Sequence, residues 1–348
     1  MLRDLKKIKM HDYLSGIQQV GIGVKNAKEA MLIYKNLFGQ DVLIFDDVAE
    51  ANLMFKYTGD KIYKRRAILT MNLQGGGGFE IWQFLDRKPS ENKEISLGDI
   101  GIFAPKIKSV NLQNSHNRLK KKFFNYISEI KDDSNFYVQD DFGNNYNIVA
   151  STEFFKINKH DLGGVCGAII GVSDMEKSVN FYKNVLGISE ILQDFEFETT
   201  DGKKFRKVIL YKKATGKGAF NTLLGSVEIE LVQLLNGVPN ITFKNRFWGD
   251  CGFIHLCFDV LNMNELKKHC QKLGHSFTVD SNNTFSMDNA SGRFCYIEDP
   301  DGTLIELVET HKVPILKKLN WYLDLRKRDF EKPLPKWMIN MLAFSKVK

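Results

Sequence analysis

Four apolar, strand-like segments each carry, among their polar residues, a side chain that can ligate a cation or move a proton. They are Gln19 in GIQQVGIG, Glu80 in FEIWQF, His255 in GFIHLCF and Glu306 in TLIELVE. In an extended chain, residues i and i+2 share a face. Glu80 therefore shares its face with Trp82 and Phe84, while Phe79 and Ile81 point the other way. His255 shares with Phe253 and Cys257, opposite Ile254, Leu256 and Phe258. Gln19 has Gly21 and Gly23 beside it, which leaves room for a ligand or a close backbone approach. Glu306 stands between Ile305 and Leu307. Four polar side chains turned away from apolar faces, with aromatic neighbours, describe a pocket. Trp82, Phe84, Phe253 and Cys257 are its expected substrate-facing lining. One imidazole, two carboxylates and an amide oxygen suit a divalent ion, Zn²⁺ or Ni²⁺ first, with Co²⁺ or Mn²⁺ also fitting. Such an ion polarises a carbonyl, and a nearby carboxylate can take the proton alpha to it. Glu230 in VEIELVQ fits the same pattern, so alternation alone does not choose the set.

These segments sit inside an internal duplication. GIGVKNAKEAMLIYKNLFG from Gly21 matches AIIGVSDMEKSVNFYKNVLG from Ala168, and Val24/Val172, Tyr34/Tyr182 and Gly39/Gly187 all align at an offset of 148. FEIWQ matches IELVQ, GDIG matches GDCG, and DDFGNNYNIV matches DPDGTLIELV, with offsets that grow slowly, as loop insertions would make them. Each half reads as strand, amphipathic helix (Ala27 to Leu37 in the first) and further strands, then a second such unit with a helix around Asn117 to Ile130. The expected organisation is a first domain over 1–154, a second over 163–311 and an extension over 312–348.

The 348 residues are 43% hydrophobic and 26% charged, enough for two buried cores. Mean hydropathy is -0.27 and no apolar run reaches the roughly 20 residues of a spanning helix. The opening MLRDLKKIKM lacks a signal-peptide core. Five Cys, an odd number without a CxxC pair, speak against a disulfide framework and for a cytoplasmic setting. A net charge of +7, much of it in the terminal segments, is not a nucleic-acid footprint. Expected partners are a small-molecule substrate, no nucleic acid and no membrane span, in a monomer or homodimer.

The helix ending FYKNVLG, the strand IELVQ and above all YIEDPDGTLIELVE from Tyr296 resemble the vicinal oxygen chelate superfamily, which includes glyoxalase I, bleomycin-resistance proteins and extradiol dioxygenases. The resemblance implies an α+β fold of four βαβββ modules forming two curled, mixed β-sheet cups, with a divalent metal on a concave face. It places ligands at Gln19 and Glu80 in the first module, Ala104 and Asn147 in the second, Gly167 and Glu230 in the third, and His255 and Glu306 in the fourth. Pairing of the first module with the last, as in glyoxalase I, gathers Gln19, Glu80, His255 and Glu306 into one site and leaves Ala104, Asn147, Gly167 and Glu230 unable to hold a metal. It implies a lyase or isomerase working through a metal-stabilised enediolate, with Glu306 as base and Glu80 as its partner. Where glutathione-using members carry two Arg and an Asn, this chain has Gly23, Cys251 and Phe84, so a more apolar, glutathione-independent carbonyl substrate is expected. A non-catalytic ligand-binding protein and an iron dioxygenase are the alternatives.

Other features read as structural. Gly75 to Gly78 is a hairpin turn, because no Lys-Ser/Thr or helix follows it. His11, His116, His160, His269, His275 and His311 share no ligand spacing and read as surface. Arg246, Trp248 and Arg293 could hold an acidic group of a substrate. The extension, PILKKLNWYLDLRKRDF and then KWMINMLAF, reads as basic amphipathic helix capping a domain, with an anionic membrane or partner as the alternative.

Overall fold

The computed structural model describes residues 12–92, 94–122, 126–158, 160–282, 285–287, 290–316 and 321–347. The signal-peptide question and His11 lie outside the described residues. Four βαβββ modules follow one another. The first holds β1 (Leu14–Gly23), α1 (Ala27–Phe38), β2 (Val42–Glu50), β3 (Lys64–Met71) and β4 (Gly78–Phe84). The second holds β5 (Gly101–Ser109), α2 (Leu112–Lys120), β6 (Tyr126–Ile127), β7 (Asn135–Gln139) and β8 (Asn145–Ala150). The third holds β9 (Leu162–Gly171), α3 (Met175–Asn180), β10 (Glu190–Glu198), β11 (Lys204–Lys212), the short α4 (Asn221–Leu224) and β12 (Val227–Leu234). The fourth holds β13 (Gly252–Val260), α5 (Met263–Lys272), β14 (Val279–Asp280), β15 (Phe285–Met287), β16 (Ala290–Glu298) and β17 (Leu304–Leu316).

The sheets do not follow the sequence halves. One runs β14-β16-β17-β13-β1-β4-β3-β2, joining the fourth module to the first; the other runs β10-β11-β12-β9-β5-β8-β7-β6, joining the third to the second. Both are mixed and curled, the first into a half-barrel. The seams are antiparallel, β1 on β13 and β5 on β9, whereas β1 on β4 and β13 on β17 are parallel.

The helices explain the convex side. Asn26 caps α1 by accepting the Glu29 N–H, Gly39 ends it in the left-handed region at φ 66°, and Ala27, Ala30, Tyr34, Leu37 and Phe38 form its buried stripe. That stripe packs with Val20, Ile22, Phe79 and Ile81. The Tyr34 hydroxyl donates to Asp140 at 3.0 Å and Tyr182 to Asp299 at 3.1 Å. Asp140 also accepts the N–H groups of Phe142 and Asn144, and Asp299 those of Asp301 and Thr303. The repeated D-x-x-G motifs are therefore turns, one pinned to α1 and the other to the turn that follows α3, in each case in the preceding module. Helix contacts tie modules within a sequence half, while strand pairing ties modules across halves.

Three expectations change. The second-module helix spans Leu112–Lys120, earlier than 117–130, because Asn111 caps it by accepting from the Asn114 N–H. His116, His269 and His311 are buried, the first two against the carbonyls of Ser128 and Asn184. The extension is not helical where helix was expected. β17 continues to Leu316 and pairs antiparallel with β18 (Trp321–Asp324), with Pro314 opposite Tyr322. Pro314 disfavours helix at the residue before it, Val313, Ile315, Trp321 and Tyr322 favour strand, and pairing satisfies the edge of β17. Helix returns only at α6 (Lys336–Asn340), followed by a 3₁₀ turn, Met341–Ser345.

Candidate metal centre

β1, β4, β13 and β17 are neighbours at the β1–β13 seam, and each delivers one polar side chain to the concave face. Gly21 lies opposite His255 across the antiparallel pair and beside Glu80 across the parallel one; Cys257 lies beside Glu306. His255 is fully buried, and Gln19, Glu80 and Glu306 nearly so. The His255 Nε2 atom lies 3.1 Å from Glu306 Oε2 and 3.3 Å from Glu80 Oε2. Gln19 donates its amide N–H to Glu306 at 3.2 Å, which leaves its amide oxygen free. Donor atoms of Glu80, His255 and Glu306 lie within 4.8 Å of one another, the one such acidic, His or Cys group of three among the described residues.

Three atoms in this cluster, Gln19 Oε1, Glu80 Oε2 and His255 Nε2, are buried without a hydrogen-bond partner. The unpartnered Gln19 amide oxygen costs about 1–3 kcal/mol, Glu80 Oε2 and His255 Nε2 are offset only by their ion-pair contact, and a shared cation would engage all three. Amide oxygen, imidazole and carboxylate are the donors of borderline-to-hard divalent ions, so the residues fit the expected metal. Burial works against the imidazolium, yet Glu306 and Glu80 raise His255 to about 9. Burial and then Glu306 push the Glu80 carboxyl up, whereas His255 holds Glu306 down against its own burial.

Gly21 makes room for the imidazole: a Cβ there would lie 2.4 Å from His255 Cε1 and 2.6 Å from Nε2. Tyr296, which the sequence reading missed, places its hydroxyl 3.2 Å from His255 Nδ1. A metal on Nε2 requires the proton on Nδ1, where the Tyr296 oxygen accepts it. Tyr296 opens the motif YIEDPDG, and its pairing opposite Glu306 was the signal that could have found it.

An apolar cavity of about 370 Å³ adjoins the cluster, and Gln19, Glu80, Trp82, Trp248, Tyr296 and Glu306 are among its walls. Of the expected lining residues, Trp82 is there and three are not. A bulge in β13 pairs Gly21 with His255 but Ile22 with Phe253, so Ile254 drops out of register and the faces exchange. Phe253 packs into the helix-side core against Tyr146, at 5.5 Å between rings, and Ile254 joins Trp82, Trp248 and Tyr296. Phe84 lies outside the cavity between Tyr63 and the Arg87 guanidinium. Cys257 is buried under the centre with its thiol toward Gln18, pushed well up by burial and by Glu306. Of the suggested acid-binding residues, Arg293 is taken by Asp280 and Arg246 by backbone carbonyls.

Residues 165–307 match the Glyoxalase/Bleomycin resistance protein/Dioxygenase superfamily model. The matched stretch, which holds most of the third and fourth modules, is a domain of that superfamily. Glyoxalase I from Zea mays shares its fold at a TM-score of 0.54, with 14% identity over 84% of this chain and 92% of that one. A putative dioxygenase from Bacillus subtilis subsp. subtilis str. 168 does so at 0.56, with 15% identity over 86% of each chain. No curated protein sequence matches.

In the second cup, where Ala104, Asn147, Gly167 and Glu230 were expected to hold no metal, the chain supplies its own cation. Lys106 Nζ lies 2.6 Å from Glu230 and 2.5 Å from Glu228, and Lys207 Nζ 2.5 Å from the other Glu230 oxygen. Burial alone would raise the Glu230 carboxyl, but the two lysines hold it low. Asn147 is engaged by Asn135. No helix among the described residues is long and apolar enough to cross a membrane.

Proposed function

We propose that the chain is a metal-dependent, glyoxalase-like lyase or isomerase acting on a small carbonyl compound without glutathione. One observation carries this reading: Gln19, Glu80, His255 and Glu306 converge, buried and with three atoms lacking partners, at the wall of an apolar cavity. Gln19, Glu80, His255 and Glu306 would hold a divalent ion, Zn²⁺ or Ni²⁺ by preference, whose chemistry when bound is to polarise a substrate carbonyl. Glu306 takes the proton from the carbon beside that carbonyl, and Glu80 faces it across His255 to return a proton. Gln19 orients Glu306 through its amide N–H. Tyr296 holds the His255 ring, and Trp82 and Trp248 keep water from the reacting carbon. One imidazole among two carboxylates, rather than two imidazoles and one carboxylate, favours this chemistry over an iron dioxygenase.

Metal analysis of the purified protein beside His255→Ala is the first test, with about one divalent ion per chain expected in the wild type and none in the variant. Glu306→Gln should keep the fold and abolish turnover of α-oxoaldehydes. Normal turnover in that variant excludes Glu306 as the base. Tight ligand binding by metal-free protein without turnover would instead identify a binding protein.

A further inference from the structure

The segment after residue 333 lies beyond the sequence repeats, yet it lines the cavity. Leu342 and Ser345 line it together with Glu80 and Glu306. The segment is held at several points. The Leu334 N–H donates to the Ala219 carbonyl at 2.9 Å, Lys156 to Asn340 at 2.7 Å, and the Val347 N–H to the Asp41 carbonyl at 2.8 Å. Lys346 pairs with Asp41 at 2.5 Å and bridges to Val42. Leu334 and Ile339 are buried with Val42, Met71 and Leu73. This is a packed wall.

Strand register says which end it walls. Glu80 pairs with Leu69, and Met71 and its partner Val42 lie farther toward the Gly78 end. On the other side, Glu306, Val308 and Thr310 step along β17 in the same direction and all line the cavity. Four residues of strand from Glu306 to Thr310 span about 13 Å. At the far end apolar residues, Leu43, Met71, Phe220, Leu224 and Val313, outnumber Gln18, Thr310 and Ser345 in the lining, and Leu342 comes from the C-terminal turn. The opposite end is lined by Trp248 and by residues of the turn Asn52–Tyr57.

We infer that residues 334–347 form the end wall of the substrate cavity and that Leu342 sets the length of the apolar chain it admits. The ligand is a carbonyl compound with its carbonyl at the Glu306 end and an alkyl chain running along β17 toward Leu342. Only the placement of the carbonyl rests on the proposed metal centre.

The test is binding of methyl ketones bearing ethyl, hexyl and decyl chains to the full-length protein, followed by quenching of the tryptophans that line the cavity. Leu342→Trp should weaken the hexyl and decyl ketones by about tenfold or more, the scale on which a pocket discriminates methylenes, and leave the ethyl ketone unchanged. Leu342→Ala should strengthen the decyl ketone relative to the hexyl. Phe344→Ala, an exposed neighbour outside the cavity, should do neither. Equal changes for all chain lengths, the same effect from Phe344→Ala, or no ketone binding by the wild type would overturn the inference. Co²⁺ titration separates the two readings. All three variants should bind Co²⁺ as the wild type does; if the wild type binds none, the metal centre falls while the chain-length series still decides the wall.

Discussion

Gly21→Ala is the sharpest test of the centre because it changes one methyl group and no donor. Gly21 does not occupy the left-handed region, so alanine brings no backbone strain; the consequence is confined to the 2.4–2.7 Å approach to all of Cε1, Nε2 and Nδ1 of His255. Ordinary carbon contacts begin near 3.5 Å, so the ring must move by about 1 Å, whereas metal–ligand distances are held to about 0.2 Å. The overpacking should destabilise the protein by about 1–3 kcal/mol. Metal affinity should fall by about 10–100-fold, the loss typical when a ligand's orientation is disturbed. After chelator treatment, calorimetric titration with Co²⁺ measures the second effect and urea melts of the metal-free protein the first. A double-mutant cycle adds a check: in a His255→Ala background the clash is gone, so Gly21→Ala should cost little stability. A Gly21→Ala protein that binds Co²⁺ as tightly as the wild type would refute the assignment of His255 as a ligand.

Four further outcomes are expected. Because His255 is raised to about 9, its contribution to metal-free stability is fully present below about 6.5 and is lost as pH rises through about 9; urea melts at acid and alkaline pH should show this, and His255→Gln should abolish it. For the same reason Co²⁺ binding near neutral pH should release about one proton per ion, read from titrations in buffers of different ionisation enthalpy. Tyr296→Phe should cost about 1–3 kcal/mol in melts by stranding the buried Nδ1–H of His255 and weaken Co²⁺ binding by about tenfold or more, since it removes the group that fixes the His255 proton on Nδ1. Lys106→Met should destabilise the protein by about 3–5 kcal/mol in denaturant melts, because Glu230 is left buried with one lysine, and it should not change metal content.

The repeats, the four modules and the alternating strands were readable from local pattern because the period of two and the stripe of α1 are properties of consecutive residues. Glu80 and Glu230 show where that reading ends. Both follow an apolar residue in nearly the same strand, yet one meets His255 and Glu306 while the other meets Lys106 and Lys207. Neither lysine stands at a ligand position of the repeat. Phe253 and Ile254 exchange faces because a single bulge shifts the register between β1 and β13, and nothing in GFIHLCF marks it. The tail was misread for a related reason: apolar spacing near Leu316 and Leu323 suits a helix, but the unpaired edge of β17 offered hydrogen bonds that a helix there would have left unmade.

Local pattern thus settled the duplication, the modules of strand and helix and a set of polar residues turned inward from apolar strands, because burial and pleat act between near neighbours in the chain, while the curled-cup fold was implied by the family resemblance. Which of those residues share one centre, that Tyr296 meets His255, that the second cup is filled by lysine, and that the last residues line the cavity depended on strands brought together across hundreds of residues. Contacts of that range are set by register and packing, and no local stretch of sequence encodes them by itself.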